Sequence, residues 1–123
     1  MVGCKKDLTD KLQGKWQLKS VEQAGVSVNV DTVWYNFQSE SLFMYQIYWA
    51  EKDTFMHWYG HRVQQDDANM MLELAYNPEV PVSEFLPYTD WETGTRIFSV
   101  KKIDRKHLVL SDDDKVYSFA KFE

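Results

Sequence analysis

Two histidines four residues apart are the first candidates for chemistry in this sequence. They stand in the run HWYGH at residues 57–61. On a helix both imidazoles could bind one metal ion, but on a strand they lie on one face about 13 Å apart, at roughly 3.3 Å per residue. The aromatic content of the run favours a strand, so we expect no metal site. On a strand, His57, Tyr59 and His61 share one face. Their side chains would hydrogen-bond a ligand if this face lines the inside of a barrel, or water if it lies outside.

The acidic side chains cluster at predicted turns. Asp66 and Asp67 form one pair, and residues 112–114 are three consecutive aspartates. Aspartate is expected at turns because its side chain bonds the nearby backbone, and the run 112–114 lacks the alternating ligands and the glycine of a calcium loop. Glycine-rich phosphate loops and the Gly-x-Ser-x-Gly motif are absent from the sequence. We therefore expect no enzyme, no metal and no cofactor.

Isolated arginines and a large aromatic set are the stronger candidates for binding a ligand. Arg62 and Arg96 stand alone within predicted strands, where each either binds a carboxylate-bearing ligand or pairs with a residue such as Glu73. The chain contains 5 Trp, 7 Tyr and 7 Phe, and an eight-stranded barrel is either filled by such side chains or holds one small ligand. This aromatic bulk favours a largely filled interior. The residues predicted to line a ligand site are Tyr35, Phe37, Tyr45, His57, Tyr59, Arg62 and Phe98.

The elements that must position these residues are short strands. β-Branched and aromatic runs recur between turn residues, whereas helical periodicity is poor. Short polar turns between successive runs indicate an antiparallel meander. The sequence therefore predicts eight strands, near residues 14–23, 32–38, 42–50, 54–65, 69–75, 94–103, 107–111 and 115–122.

Two segments stand outside the strand pattern. Residues 77–92 hold all three prolines, and proline lacks the donor that a central strand needs. A loop of this length is often functional, or it simply carries one helical turn around residues 83–86. Leu8 and Leu12 share one helical face, so a short N-terminal helix is expected to plug an open end of a barrel. We assign residues 1–7 to a tether and residues 8–123 to a single barrel domain.

Net charge and composition limit the kinds of molecule that this chain is expected to bind. The 123 residues include 14 Lys plus Arg and 19 Asp plus Glu, which gives a net charge of −5. No basic cluster exceeds two residues, so nucleic acid is not an expected partner, because phosphate contacts require clustered cations. The longest apolar stretch, residues 42–50, is far shorter than the roughly 18 residues of a membrane span. With one cysteine the chain forms no internal disulfide.

The segment at residues 12–18 resembles the opening of the lipocalins. It joins the end of a short helix to a Gly14-x-Trp16 motif and the first strand, and it is closer still to the small lipocalin-like domains of bacterial lipoproteins. The segment 94–122 is similar to the closing strands of such domains. The resemblance implies an all-β fold, an eight-stranded up-and-down antiparallel β-barrel with a tryptophan at its floor. Lipocalins typically place an arginine over that tryptophan, and this chain offers Lys121 in its last strand.

The first four residues, Met1-Val2-Gly3-Cys4, resemble the end of a bacterial lipoprotein signal. In such signals a small residue precedes the cysteine that is acylated. The resemblance implies lipidation at Cys4, membrane contact only through that anchor, and a place in the bacterial cell envelope, periplasmic or on the outer surface. The alternative is a cytoplasmic protein in which Cys4 is an unmodified thiol.

The leading functional hypothesis is a non-enzymatic binding module that holds a small apolar or amphipathic molecule at the barrel mouth. The alternative is a closed-core scaffold or protein-interaction module, acting as a homodimer or with another protein. Its contact surface would be the outer face of strands 42–50 and 54–65, which are apolar on both faces. A third hypothesis, an isomerase-type enzyme using His57, Tyr59 or Arg62, follows from the resemblance, because lipocalin-like barrels occasionally catalyse isomerisations.

Overall fold

The computed structural model describes residues 5–122, which form one α-helix and nine strands. Eight of these strands match the predicted ones to within one residue at each end. In chain order the elements are α1 (Lys5–Leu12), β1 (Gly14–Gln23), β2 (Val26–Asn29), β3 (Val33–Phe37), β4 (Leu42–Trp49), β5 (Thr54–Gln64), β6 (Asn69–Leu74), β7 (Thr95–Ile103), β8 (His107–Asp112) and β9 (Lys115–Lys121).

Eight of the strands close into an antiparallel barrel. Neighbours pair in the order β1-β3-β4-β5-β6-β7-β8-β9, and β9 returns to pair with β1 along most of its length. Closure gives every strand of the wall a partner on both sides, which removes the exposed edges of an open sheet. The predicted eight-stranded up-and-down barrel is confirmed.

The additional strand β2 forms a lip on the barrel. It pairs with the upper part of β1, while the lower part of the same β1 edge pairs with β3. Ala24 and Gly25 both have positive φ (53° and 79°), as the two-residue turn of a tight hairpin requires. The sequence prediction left residues 24–31 between two strands, although Val26 and Val28 alternate with Ser27 and Asn29. An alternation of four residues is at the lower limit of the pattern that indicates a strand, and in the structure all four residues are exposed.

The N-terminal helix covers one end of the barrel, here termed the floor. Leu8 and Leu12 are buried there, as their shared helical face predicts, and the indole nitrogen of Trp16 donates to the Leu12 carbonyl at 2.8 Å. The Lys121 ammonium lies 4.5 Å from the Trp16 ring centroid and donates to the Gln13 carbonyl at 2.6 Å. Lys121 therefore takes the cation position over the floor tryptophan that the resemblance implies.

The junction between α1 and β1 depends on Gly14. Its φ of 123° is disfavoured for other residues, and a Cβ atom there would lie 2.5 Å from the Lys121 Nζ atom. The helix itself begins at Lys5. Residues 5–7, which the sequence analysis assigned to a tether, are thus helical, and Cys4 lies outside the described residues.

Aromatic rings fill the barrel interior, as the composition predicts. Tyr35 occupies the centre, with its ring centroid 5.2 Å from that of Phe43 and 4.9 Å from that of Phe119. Such tilted and edge-to-face pairs are the arrangements that aromatic rings favour. The largest fully buried side chains are Trp16, Tyr35, Tyr45, Tyr117, Phe37, Phe43 and Phe98.

Candidate functional site

The long loop of residues 75–94 covers the opposite end of the barrel, here termed the mouth. It contains two short 3₁₀ turns, Val82–Glu84 and Leu86–Tyr88, close to the helical turn predicted around residues 83–86. Two of its side chains, Phe85 and Trp91, are only 5% and 4% exposed because they insert into the barrel core. Because residues 75–94 close the mouth, this loop is termed the lid.

Trp91 of the lid occupies the upper barrel interior. Its ring is parallel to that of Phe43 at a centroid distance of 6.3 Å and meets the edge of Tyr45 at 5.5 Å. The Trp91 indole N–H donates to the Tyr35 hydroxyl at 3.1 Å. In an open barrel a small ligand would take this space. Sequence reasoning missed Trp91 because a tryptophan in a proline-rich loop belongs to no periodic pattern, although the length of the loop was a signal of function.

A polar cluster adjoins Trp91 at the mouth, with Arg96 at its centre. The Arg96 Nε atom donates to the Asp112 carboxylate at 2.8 Å, and Nη2 donates to the Tyr117 hydroxyl at 2.6 Å. Its Nη1 atom lies 3.3 Å from the carboxylate of Asp90, which also accepts a hydrogen bond from the Tyr117 hydroxyl. Of the two alternatives for Arg96, the structure shows the ion pair, with Asp112 and Asp90 as partners.

Burial and neighbouring groups set the charges in this cluster. Burial lowers the pKa of Arg96, whereas its hydrogen bond to the Tyr117 hydroxyl and the nearby Asp90 carboxylate raise it; the net direction is upward and the guanidinium stays charged. Burial also raises the pKa of Tyr35, Tyr45 and Tyr117 above the ordinary tyrosine value. The upper barrel thus holds neutral phenols around a permanent cation.

The buried tyrosines predict a loss of stability in alkaline solution. Their pKa in the folded chain exceeds the ordinary value of about 10, so the unfolded chain releases protons first as the pH rises past that value. The stabilisation is fully present below about pH 9, and above pH 10 it falls by up to about 1.4 kcal/mol per pH unit for each such tyrosine. Urea denaturation across this range should therefore show a shallower decline for Tyr45→Phe than for the wild type.

Tyr76→Phe is the matched control for this prediction, because Tyr76 lies in the lid and is 86% exposed. Its alkaline slope should equal that of the wild type. An unchanged slope in Tyr45→Phe would contradict the assignment of the alkaline transition to the barrel interior.

Two clefts adjoin the lid at the mouth. The smaller, termed the apolar cleft, has a volume of about 280 Å³, and the larger, termed the acidic cleft, about 530 Å³. Asp90 and Lys115 border both, with the Lys115 ammonium 3.9 Å from the Asp90 carboxylate. The apolar cleft is lined by Leu18, Val21, Gln23, Val28, Val30, Val33, Tyr45, Tyr88, Thr89, Asp90 and Lys115. The acidic cleft is lined by Asp90, Glu92, Thr93, Thr95, Arg96, Ile97, Asp112, Asp113, Asp114 and Lys115.

The structure separates the seven residues that were predicted to line one ligand site. Tyr45 borders the apolar cleft. Tyr35, Phe37 and Phe98 are at most 1% exposed, so a ligand could contact them only after the lid leaves. Arg62 is buried near the floor, where it donates to Gln64 and its Nη1 atom lies 3.9 Å from the Met70 sulfur. Arg62 therefore lies apart from the residues at the mouth.

His57 and Tyr59 lie on the outer face of β5, together with His61. All three are exposed, because the inward face of this strand is formed by Met56, Trp58, Gly60 and Arg62. This placement puts His57 and Tyr59 outside the barrel, apart from the predicted site residues that face its interior. It also separates both from Arg62, so the residues proposed for an isomerase do not form one site. Within residues 5–122, no three His, Cys, Asp or Glu side chains are placed to hold a metal ion.

The outer face of β4 to β7 carries a group of apolar side chains, as the sequence predicts for two of these strands, with His57, His61 and Glu73 beside them. Val63 stands opposite Met71, which in turn stands opposite Ile97 in the next strand. Val63 is 47% and Ile97 51% exposed. This surface, termed the outer patch, consists of Leu42, Met44, Tyr59, Val63, Met71 and Ile97.

A closed antiparallel barrel with a helix across its floor and clefts at its mouth is the lipocalin-like architecture, a fold of binding modules. A family model described as a lipocalin-like domain matches residues 1–122, and the chain belongs to this family. In the part of the chain that the structure describes, no helix has the length and apolar character needed to span a membrane.

Two solved structures share the fold. A lipocalin-like protein from Bacteroides uniformis is 29% identical, with a TM-score of 0.78 over 91% of this chain and 99% of that chain. An uncharacterized protein from Bacteroides eggerthii is 23% identical, with a TM-score of 0.71 over 90% of this chain and 99% of that chain. Among curated proteins, none matches this chain.

Proposed function

We propose that this chain is a non-enzymatic binding module that holds a small apolar or amphipathic molecule in the apolar cleft at the mouth. The observation that carries the proposal is the chemistry of that cleft. Valine side chains and the Tyr88 ring form its walls, and the ion pair of Asp90 and Lys115 stands at its edge. Apolar walls with a few placed polar groups are typical of small-molecule sites, because the walls give affinity and the polar groups fix orientation.

The strand β2 contributes an apolar side chain to one wall of the apolar cleft, and this side chain is exposed to solvent. Val28 of β2 lines the cleft and is nevertheless 58% exposed, while Tyr88 on the lid is 47% exposed. A ligand that covers both side chains removes this apolar surface from water, which is favourable by about 25 cal/mol per Å². The acidic cleft offers less to an apolar molecule because five carboxylates border it.

The test is a titration of the purified chain with the apolar dye Nile red, whose emission rises when it leaves water. Saturable binding is expected, and Val28→Asp should weaken it at least tenfold because a carboxylate replaces part of an apolar wall. Val63→Asp, the same change at a similarly exposed valine of the outer patch, should leave the dye affinity unchanged. Equal weakening by both variants, or no saturable binding, would contradict the proposal.

A second candidate function is protein interaction through the outer patch. The specific observation is that Leu42, Tyr59, Val63 and Ile97 are each 43–51% exposed on adjoining strands, with the polar His61 and Glu73 among them. Exposed apolar side chains grouped with polar ones commonly mark an interface. If a second copy of the chain covers this patch, sedimentation velocity should detect a concentration-dependent dimer that Val63→Asp abolishes and Val28→Asp retains. A wild-type chain that stays monomeric at all concentrations would contradict self-association.

A lipid anchor at Cys4, with the bacterial cell envelope as location, completes the proposal. It is supported by the Val2-Gly3-Cys4 sequence. Because α1 begins at Lys5 and covers the floor, an anchor at Cys4 would hold the barrel by its floor and leave the mouth accessible. Mass spectrometry of the native membrane-extracted protein should find acyl chains on Cys4. An unmodified Met1 terminus would reject the anchor and favour the cytoplasmic alternative.

A further inference from the structure

The ring of Trp91 sits in a site that the barrel wall forms and the lid fills. Four wall rings surround it at centroid distances between 5.5 and 6.5 Å. The one polar atom of the indole meets a matching group, the Tyr35 hydroxyl, at 3.1 Å. An apolar enclosure with a single placed polar contact is how a pocket recognises a small aromatic molecule. The four surrounding residues are Tyr35, Phe43, Tyr45 and Phe98.

The carboxylate of Asp90, the residue before Trp91, sits in a second prepared site. It accepts a hydrogen bond from the Tyr117 hydroxyl, and it lies 3.3 Å from the Arg96 guanidinium and 3.9 Å from the Lys115 ammonium. These three donors belong to the wall strands β7 and β9. Arg96 is held in place separately by Asp112 at 2.8 Å, so the donors keep their positions when Asp90 leaves.

We infer that Asp90 and Trp91 are a built-in substitute for the ligand, and that the ligand which displaces them is an aromatic carboxylate of about indole size. Its ring takes the place of the Trp91 indole, and its carboxylate takes the place of the Asp90 carboxylate. The inference rests on the proposed function and extends it from the apolar cleft into the upper barrel.

The groups that contact the Asp90 carboxylate favour a carboxylate at its position over the polar group of other amphipathic molecules. When Asp90 moves into solvent, Arg96 and Lys115 each lose an anionic neighbour in a partly buried position. A ligand carboxylate restores that neighbour, whereas an ammonium group would face two cations, and like charges at close range are unfavourable. A neutral aromatic ring would fill the indole site but would replace none of the contacts that the Asp90 carboxylate makes with Tyr117, Arg96 and Lys115.

The lid can leave without breaking the barrel. Its backbone hydrogen bonds between residues 81 and 89 are internal to the lid. It is tied to the wall at its base, where the Leu74 N–H donates to the Gly94 carbonyl and the Ala75 N–H donates to the Tyr59 carbonyl. Because the lid adds no strand to the wall, its displacement breaks side-chain contacts rather than the sheet. The ligand replaces the contacts of Asp90 and Trp91, and Phe85 keeps its place against Tyr45 and Trp58 if only residues 89–93 move.

The test compares three indoles that differ in one group, by isothermal titration calorimetry. The probes are indole-3-propionate, the neutral 3-methylindole and the cationic tryptamine, and the proteins are the wild type and the double variant Asp90→Ala/Trp91→Ala. The double variant should bind indole-3-propionate at least tenfold tighter than 3-methylindole, and tryptamine most weakly. Arg96→Met in the same background should remove this preference. The wild type should bind indole-3-propionate more weakly than the double variant, because its own lid competes.

Each contrary result overturns a defined part of the inference. Equal affinity for 3-methylindole and indole-3-propionate, or a preference for tryptamine, overturns the carboxylate site. Binding by the double variant with none by the wild type overturns displacement, because Trp91 is then a fixed part of the core. Nile red binding in the apolar cleft without indole-3-propionate binding overturns this inference and leaves the proposed function standing. Indole-3-propionate binding in the upper barrel without Nile red binding would contradict the apolar cleft as a binding site and leave this inference standing.

A measurement on the wild type keeps the inference testable if the double variant does not fold. The chain is labelled with 5-fluorotryptophan, and the Trp91 signal is assigned by its loss in Trp91→Phe. Addition of indole-3-propionate should move the ¹⁹F resonance of Trp91 towards the position of a solvent-exposed indole. A Trp91 resonance that stays unchanged at saturating indole-3-propionate overturns the inference.

Discussion

Replacement of Trp91 by alanine is expected to lower the free energy of unfolding by about 3–5 kcal/mol, the usual effect of deleting a buried large aromatic side chain. Trp91 is 4% exposed and packs against four aromatic rings. The surrounding strands are paired on both sides and cannot collapse into the vacated space, so a cavity should remain. Urea denaturation measures the loss, and 3-methylindole should raise the melting temperature of Trp91→Ala by refilling the cavity.

Trp49→Ala is the matched control for this prediction. Trp49 is half-buried at the mouth end of β4, where its ring lies 5.4 Å from that of Tyr88 and the Lys52 ammonium is 6.0 Å away. Its truncation leaves no enclosed cavity, so we expect a loss of about 1–2 kcal/mol and no stabilisation by 3-methylindole. A Trp91→Ala protein as stable as Trp49→Ala would show that the lid indole is not part of the core.

The second large effect is expected for Arg96→Met, which keeps an unbranched apolar side chain but removes the guanidinium and its charge. The Asp90 and Asp112 carboxylates would lose their guanidinium partner, and the Tyr117 hydroxyl would lose a donor. Breaking a fully buried ion pair costs about 3–5 kcal/mol. Asp90 and Asp112 are 38% and 28% exposed, so water compensates in part and we expect about 2–4 kcal/mol.

Hydrogen exchange of the Trp91 indole proton is a second measurement on Arg96→Met. Because Arg96 ties the lid to the wall through Asp90, exchange should accelerate in Arg96→Met. Arg105→Met, at an exposed turn near the floor, should change stability by less than about 0.5 kcal/mol and leave the exchange rate unaltered. Wild-type stability together with wild-type exchange in Arg96→Met would contradict the role of Arg96 in holding the lid.

The strands of the wall could be predicted because each depends on short-range signals. In β3, for example, Val33, Tyr35 and Phe37 alternate with polar or outward residues, and the turn at residues 65–68 is marked by Asp66, whose carboxylate accepts from the backbone of Ala68. The strand β2 gave a weaker signal, because the alternation of Val26 and Val28 with Ser27 and Asn29 spans only four residues. Its pairing with β1 runs through backbone groups, which the sequence does not reveal.

The orientation of β5 is a different case. Both of its faces carry aromatic residues, so alternation alone did not decide whether Trp58 or Tyr59 points inward. The pairing decides it, since Trp58 stands opposite the buried Tyr45 and its indole N–H donates to the Ala75 carbonyl at 2.9 Å. A strand with two apolar faces therefore specifies its register only together with its neighbours.

The candidate site was the part least accessible from the sequence. Asp90 and Trp91 lie in a loop whose conformation depends on contacts with residues far along the chain, such as Tyr35 and Tyr117. The aromatic wall residues Tyr35, Tyr45 and Phe98 were identified as potential ligand contacts from the aromatic content of the predicted barrel strands. What the sequence did not reveal is that a lid from the same chain already occupies the space that they surround.

The most direct test of the central claim, that the mouth binds a small molecule, is to map where Nile red binds by two-dimensional ¹⁵N–¹H NMR. With backbone resonances assigned, the binding account predicts that titration shifts the amides of Val28, Val33, Tyr88 and Thr89 around the apolar cleft and leaves Val63 and Ile97 on the outer patch unchanged. Shifts confined to the outer patch, or no shifts at all, would contradict it and favour a protein-interaction module.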